Sequence, residues 1–134
     1  MAVAPGRYAI TWGTDGTNVG RMAVGEPDTM GPKPVIVGAD TAPLWVVAGM
    51  PGGLFSLATR NTLVDKIDGY IFGLLQDPPN APDWEITGVD GGCQIRVPRT
   101  TLVWTVPAGA PPGQIVLADN IGGAGQVFNF IPAL

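Results

Sequence analysis

The sequence predicts an all-β fold assembled from repeated units, and three observations carry that reading. No segment of ten or more residues places its apolar side chains at the 3.6-residue period of a helix. Turn formers run the length of the chain: its 20 Gly and 14 Pro fall between short apolar runs rather than in one tract. Residues 42–64 recur at residues 81–103, an offset of 39, with ten of 23 positions identical and no gap. A fixed period near forty residues marks a repeat architecture.

Arg7–Trp12 alternates, with Tyr8, Ile10 and Trp12 on one face, as a half-buried strand does. Gly13–Asn18 is a turn cluster, and Val19–Val24 reads as a second strand. Gly25–Pro34 is the longest polar connection of the first half, and its three prolines predict an extended, stiff loop. Pro34–Val37 is a short strand, Gly38–Ala42 a turn, and Leu44–Ala48 a strand that opens the repeated stretch. Gly49–Gly53 turns the chain into Leu54–Thr59, with Phe55 and Leu57 inward. Arg60-Asn61 is a tight turn into Thr62–Asp65, and Tyr70–Leu75 follows the turn Lys66–Gly69. Prolines bar the loop 77–82 from helix. Trp84–Thr87, Cys93–Val97, Leu102–Val106, Gln114–Asp119 and Gln126–Pro132 complete twelve predicted strands.

A third, blurred copy of the repeat follows from Trp45-x-Val47, Trp84-x-Ile86 and Phe128-x-Phe130. The units open on Gly6-Arg-Tyr8-x-Ile10, Gly53-Leu-Phe55-x-Leu57 and Gly92-x-x-Ile95-x-Val97, the last out of step by one. That step predicts an extra residue before Ile95. Three units of about four strands give a threefold barrel with a hairpin cap, so the expected fold is a β-trefoil. It occupies residues 1–134 as a single domain, with Trp45, Trp84 and Phe128 sharing a core.

Charge and composition narrow the function. The net charge is −4 and the seven basic residues do not cluster, which argues against a nucleic-acid partner or an anionic membrane. No apolar run approaches the roughly 18 residues of a membrane span. Histidine is absent, which removes Ser-His-Asp and Cys-His catalysis and the common zinc sites. A glycosidase-type carboxylate pair stays open in principle, but no pair can be placed across a cleft. The reading is therefore not an enzyme, with no catalytic residue, no metal and no cofactor. The single Cys93 reads as a small buried apolar residue. It fits a reducing compartment, and the N-terminus shows no signal peptide. The expected location is cytoplasmic, with release on tissue damage.

The opening Pro5-Gly6-Arg7-Tyr8-x-Ile10, Val19-Gly20-Arg21 after a Gly/Asn turn, and Ala42-Pro43-x-Trp45 carry a resemblance. Within the β-trefoils the chain resembles the mushroom protease inhibitors of the mycocypin-like and cospin-like group. The resemblance implies a defence protein that occludes a protease cleft with a surface loop. A serine protease is the first expectation, and the loop between the second and third strands is the one implied. That loop offers Glu26, Pro27, Asp28, Thr29, Met30, Gly31, Pro32 and Lys33. Lys33, its only basic residue, precedes Pro34, and a proline there suits a trypsin-type enzyme poorly. The second candidate is Arg60-Asn61. The resemblance implies that an Asn in this turn engages asparaginyl endopeptidase, whereas Arg60 could enter a trypsin-type pocket. The repeat mate Arg99 favours a structural role for Arg60. The resemblance also implies a papain-type site in the turns Gly13–Asn18 and Gly38–Ala42.

The competing expectation is a carbohydrate-binding lectin or a lectin-like partner subunit. Trefoil lectins carry Gln-x-Trp in each unit. Here the triplets are Pro43-Leu44-Trp45, Pro82-Asp83-Trp84 and Gln126-Val127-Phe128, and none keeps both residues. Trp12 or Trp104, with Asp119-Asn120 or residues 77–80 as polar partners, would have to make the sugar site.

Overall fold

A computed structural model describes residues 3–22, 26 and 30–133. These residues form fourteen strands and two single-turn 3-10 segments, Pro51–Gly53 and Ala124–Gln126. The first unit holds β1 (Gly6–Trp12), β2 (Thr17–Gly20), β3 (Lys33–Pro34), β4 (Ile36–Val37) and β5 (Trp45–Met50). The second holds β6 (Leu54–Thr59), β7 (Thr62–Ile67), β8 (Tyr70–Leu74) and β9 (Glu85–Val89). The third holds β10 (Gly92–Arg96), β11 (Leu102–Thr105), β12 (Gly113–Gln114), β13 (Val116–Asp119) and β14 (Phe128–Pro132).

Six of these strands close a barrel. β1 pairs antiparallel with β14 and with β5, β5 with β6, β9 with β10, and β10 with β14. The remaining seam, between β6 and β9, is a bridge in which Phe55 and Trp84 exchange backbone hydrogen bonds of 2.9 and 2.7 Å. Three hairpin-like pairs form the cap: β2 with β4, β7 with β8, and β11 with β13. Closing the sheet on itself leaves few free edges in a chain with so little helix.

The cap holds the threefold centre. The Val35 N–H donates to the Ile71 carbonyl at 3.0 Å, Ile71 to Ile115 at 3.1 Å, and Ile115 back to Val35 at 3.0 Å. All three side chains are fully buried. This ring explains why fourteen strands stand where twelve were expected. Val35 and Ile115 turn out of ladder pairing to join it, which splits the third strands of the first and third units into β3/β4 and β12/β13. Ile71 joins the ring without breaking β8. The expected second strand, Val19–Val24, is shorter: it ends at Gly20, and Ala23 and Val24 lie outside the described residues.

The expected extra residue before Ile95 is also corrected. Tyr8 pairs with Trp45, Phe55 with Trp84, and Cys93 with Phe128, so Cys93 is the equivalent of Phe55. The third unit is thus one residue shorter ahead of Ile95, because Asp90-Gly91 alone turns β9 into β10 where Pro51–Gly53 turns β5 into β6. Arg99 still matches Arg60, so the missing residue is restored after Ile95, in the connection that contains Pro98.

The core follows the repeat. Trp45, Trp84 and Phe128 are fully buried, as expected, and Trp104 stands among them at centroid distances of 6.0, 5.5 and 6.2 Å. The Trp45 indole N–H donates to the Val19 carbonyl at 2.8 Å and that of Trp84 to the Val64 carbonyl at 3.0 Å, the same tie in two units. The Trp104 N–H finds no partner among the described residues.

Candidate functional site

The two loops singled out from the sequence meet in space, and Arg21 joins them. Arg21 leaves β2 and is buried, an unusual place for a guanidinium without a counter-charge. Glu26 supplies that charge by a bidentate contact, Nε to Oε2 at 2.9 Å and Nη2 to Oε1 at 2.6 Å. The side chains are 7% and 13% exposed, respectively, so solvent screens the pair weakly. The hydrogen bond from Arg21, aided by the charges of Arg21, Arg60 and Lys33, holds the Glu26 carboxyl below its ordinary pKa despite partial burial.

From the other side, Arg21 Nη1 reaches the Arg60 carbonyl and the Thr62 hydroxyl, each at 3.4 Å. The Arg60 guanidinium returns the contact by donating to the Met22 carbonyl, and it lies 3.9 Å from the Glu26 carboxylate. Arg60 and Asn61 both have positive φ, 50° and 63°, and Arg99 repeats this at 62°. The Arg60-Asn61 turn is therefore a two-residue left-handed hairpin turn, for which Asn is well suited. Gly73 of β8 lets the assembly close: a Cβ there would come within 2.6 Å of Thr62 Oγ1 and 3.1 Å of Arg21 Cδ.

The described residues of the first predicted loop separate into three groups. Glu26 points inward to Arg21. Lys33 lies in β3, opposite Gly73, and is 5% exposed, so it is not presented to solvent. Met30 is 82% exposed, with Gly31 half-buried and Pro32 exposed beside it. Pro27, Asp28 and Thr29 lie outside the described residues. Met30 and Pro32 border a hollow of about 220 Å³ with Leu74, Leu75 and Gln76. Those last three residues were not expected at the site. An apolar pair ending β8 was the available signal, but a strand end reads the same way without its spatial neighbour.

Several of the other candidate positions make contacts within the scaffold. Gly38 and Ala39 both donate backbone N–H groups to the Asn18 carbonyl, at 2.8 and 3.1 Å, so the two papain-type candidate turns touch. Trp104 is core, and the Trp12 indole N–H is bonded to the Ala124 carbonyl at 3.0 Å. Gln126 is buried: its oxygen accepts from Ile121 N–H, and its nitrogen donates to Thr105 Oγ1 and the Asp119 carbonyl. Asp119 accepts from Thr101, and Asn120 exchanges hydrogen bonds with Gln94. Of the side chains nominated for a sugar, Trp12, Trp104, Asp119 and Asn120 are thus committed to internal contacts, while Asp77 and Asn80 are exposed.

The family model for peptidase inhibitor I66 matches residues 1–128. The chain belongs to the peptidase inhibitor I66 family. It is a protease inhibitor by family and not an enzyme. The fold agrees with a proteinase inhibitor from Coprinopsis cinerea, which is similar at a TM-score of 0.85 and 23% identity, over 98% of this chain and 100% of that one. The same fold appears in the ricin B-like lectin of Macrolepiota procera in complex with lactose, at a TM-score of 0.72 and 17% identity, over 99% and 100% of the two chains. It appears again in the designed threefold-symmetric protein ThreeFoil, at a TM-score of 0.73 and 12% identity, over 95% and 99%. A search of curated proteins finds no matching sequence. Barrels of this type therefore host inhibitor, lectin and designed sequences alike, and the I66 match carries the functional assignment.

Proposed function

We propose that this I66 member is a β-trefoil inhibitor that blocks a serine protease by seating the loop 25–34 in the active-site cleft, with Met30 as leading contact. The observation that carries the reading is the loop's anchorage. Glu26 is locked to Arg21 at one end and Lys33 is buried in β3 at the other, while Met30 between them is 82% exposed. A loop held at both ends loses little freedom on docking, and that preorganisation favours tight binding. The twelve-strand trefoil plan underlies this, with two of its third strands interrupted at the threefold ring.

Met30 and the apolar hollow with Leu74 and Leu75 suit an enzyme with an apolar specificity pocket better than a trypsin-type one, whose basic ligand Lys33 cannot supply from its buried position. Arg60 serves this reading as a prop: its guanidinium holds the Met22 carbonyl at the start of the loop. Asn61 is exposed beside it and is the contact for a legumain-type enzyme in the rival assignment.

Inhibition of chymotrypsin-, trypsin-, papain- and legumain-type enzymes tests the proposal. Met30→Glu should weaken inhibition of the chymotrypsin-type enzyme at least about tenfold, the scale of losing one buried apolar anchor. Thermal stability should not change. Inhibition untouched by Met30→Glu but abolished by Asn61→Ala would move the site to the hairpin turn. Sugar-competed binding on a glycan array, without inhibition of any protease, would favour the lectin.

A further inference from the structure

A second feature lies away from the Arg21 cluster. β1, β14 and the β9–β10 hairpin line a hollow of about 690 Å³ that opens to solvent, within the size range of small-molecule sites. We infer that it binds a neutral small molecule with an aromatic or aliphatic body and one hydrogen-bonding group. The chemistry of the lining sets that class. Tyr8 and Phe130, in edge-to-face contact at 5.7 Å, form an apolar wall together with Val89 and Ile131. Among the described residues no Asp, Glu, Lys or Arg lines the cavity, so no side chain there compensates a ligand charge. Burial raises the pKa of the Cys93 thiol, which keeps that wall uncharged as well.

Besides the Tyr8 hydroxyl, which donates to the Ala4 carbonyl, and the exposed Thr14, two polar side chains break the apolar surface, and they are neighbours. Thr11 and Asn129 are direct register partners across β1 and β14, and both line the cavity. Thr11 is only 6% exposed. Among the described residues neither its hydroxyl nor the Asn129 amide bonds to protein, whereas Thr59, Thr62, Gln94 and Gln126, buried to a similar degree, do, and Ser56 is the other exception. A hydroxyl with donor and acceptor capacity, beside an amide with both, is a complete partner for one carbonyl or hydroxyl of a ligand. Gly92 permits the approach of β14: a Cβ there would fall 2.4 Å from the Phe128 carbonyl oxygen and 3.1 Å from Asn129 Oδ1.

The probe is 1-naphthol, followed by amide chemical shifts of the full-length protein. Saturable shifts are expected at residues 11–16, 89–93 and 129–132, with one-to-one stoichiometry. Thr11→Val and Asn129→Leu should each raise the Kd about tenfold, as loss of one ligand hydrogen bond does. Naphthalene-1-sulfonate, with the same rings and a charge, should bind more than about tenfold more weakly at 0.15 M salt. The inference is overturned by failure to saturate, by shifts centred elsewhere, by wild-type affinity in both variants, or by equal affinity for the sulfonate. If one variant fails to fold, the other decides. None of these outcomes depends on protease inhibition.

Discussion

The Arg21–Glu26 pair decides how the candidate loop is held. A guanidinium buried just past β2 costs free energy unless a carboxylate meets it, and removing one partner of such a pair typically costs about 3 kcal/mol. Glu26→Gln is therefore expected to destabilise the protein by about that amount at neutral pH and to lower the order of the loop. The pH dependence has a defined sign. The folded-state pKa of Glu26 is depressed, so its contribution is fully present above its ordinary value near 4.5 and is lost as pH falls through the folded value. Denaturant midpoints of wild type and Glu26→Gln should converge as pH drops below 4.5 and separate above it; a gap that persists unchanged in strong acid would contradict the assignment. Arg60 was open to two readings, and its repeat mate Arg99 already pointed to the structural one. Both take positive φ, but in different turns: Arg60 with Asn61 forms the two-residue turn between Thr59 and Thr62, whereas Arg99 follows Pro98 in the longer connection 97–102. The burial of Lys33 was not legible, because a lysine between prolines looks like a loop residue until β8 is placed beside it.

At the scale of elements, the third strand of each unit does two jobs that compete. It pairs along its hairpin, and its central residue turns to the threefold ring of Val35, Ile71 and Ile115. In β8 both demands are met in one continuous strand, helped by Gly73, which leaves room for Thr62 and Arg21. Gly73→Ala should destabilise by about 1–3 kcal/mol through overpacking against these groups. Because it displaces Arg21, it should also weaken inhibition. Equilibrium unfolding read together with an inhibition titration checks both, and a variant as stable as wild type would show that the contact can relax. Alternation and turn residues made nearly all the strands visible. The split third strands and the shortened β9–β10 turn were not, because a one-residue change of role leaves the hydrophobic pattern almost unchanged.

At the scale of the molecule, closure of the barrel couples the two ends of the chain. Tyr8 pairs with Pro132 and Trp12 with Phe128, so the last strand completes the first. Such non-local pairing makes a chain fold as one cooperative unit, and slowly compared with a helical domain. Tryptophan fluorescence and far-UV circular dichroism should report a single coincident transition. Removing residues 128–134 should abolish it, since it deletes Phe128 from the core and opens β1 and β10 together. A truncated chain that still melts cooperatively would mean that the units are more independent than the shared Trp104 contacts imply.

The sequence by itself determined the architecture of this protein. A repeat of 39 residues, the alternation of its strands and the aromatic at each fourth strand dictate three units around one core. These are local or periodic properties, and a chain carries them in its order. The tertiary structure alone decided which charged residues face inward, which loops adjoin, and where Leu74 and Leu75 come to lie beside Met30. It also decided that Thr11 and Asn129, 118 positions apart, would share one cavity. Those relations depend on contacts between residues far apart in the chain, and no pattern along it encodes them. The proposed inhibitor surface and the proposed ligand site both belong to this second class.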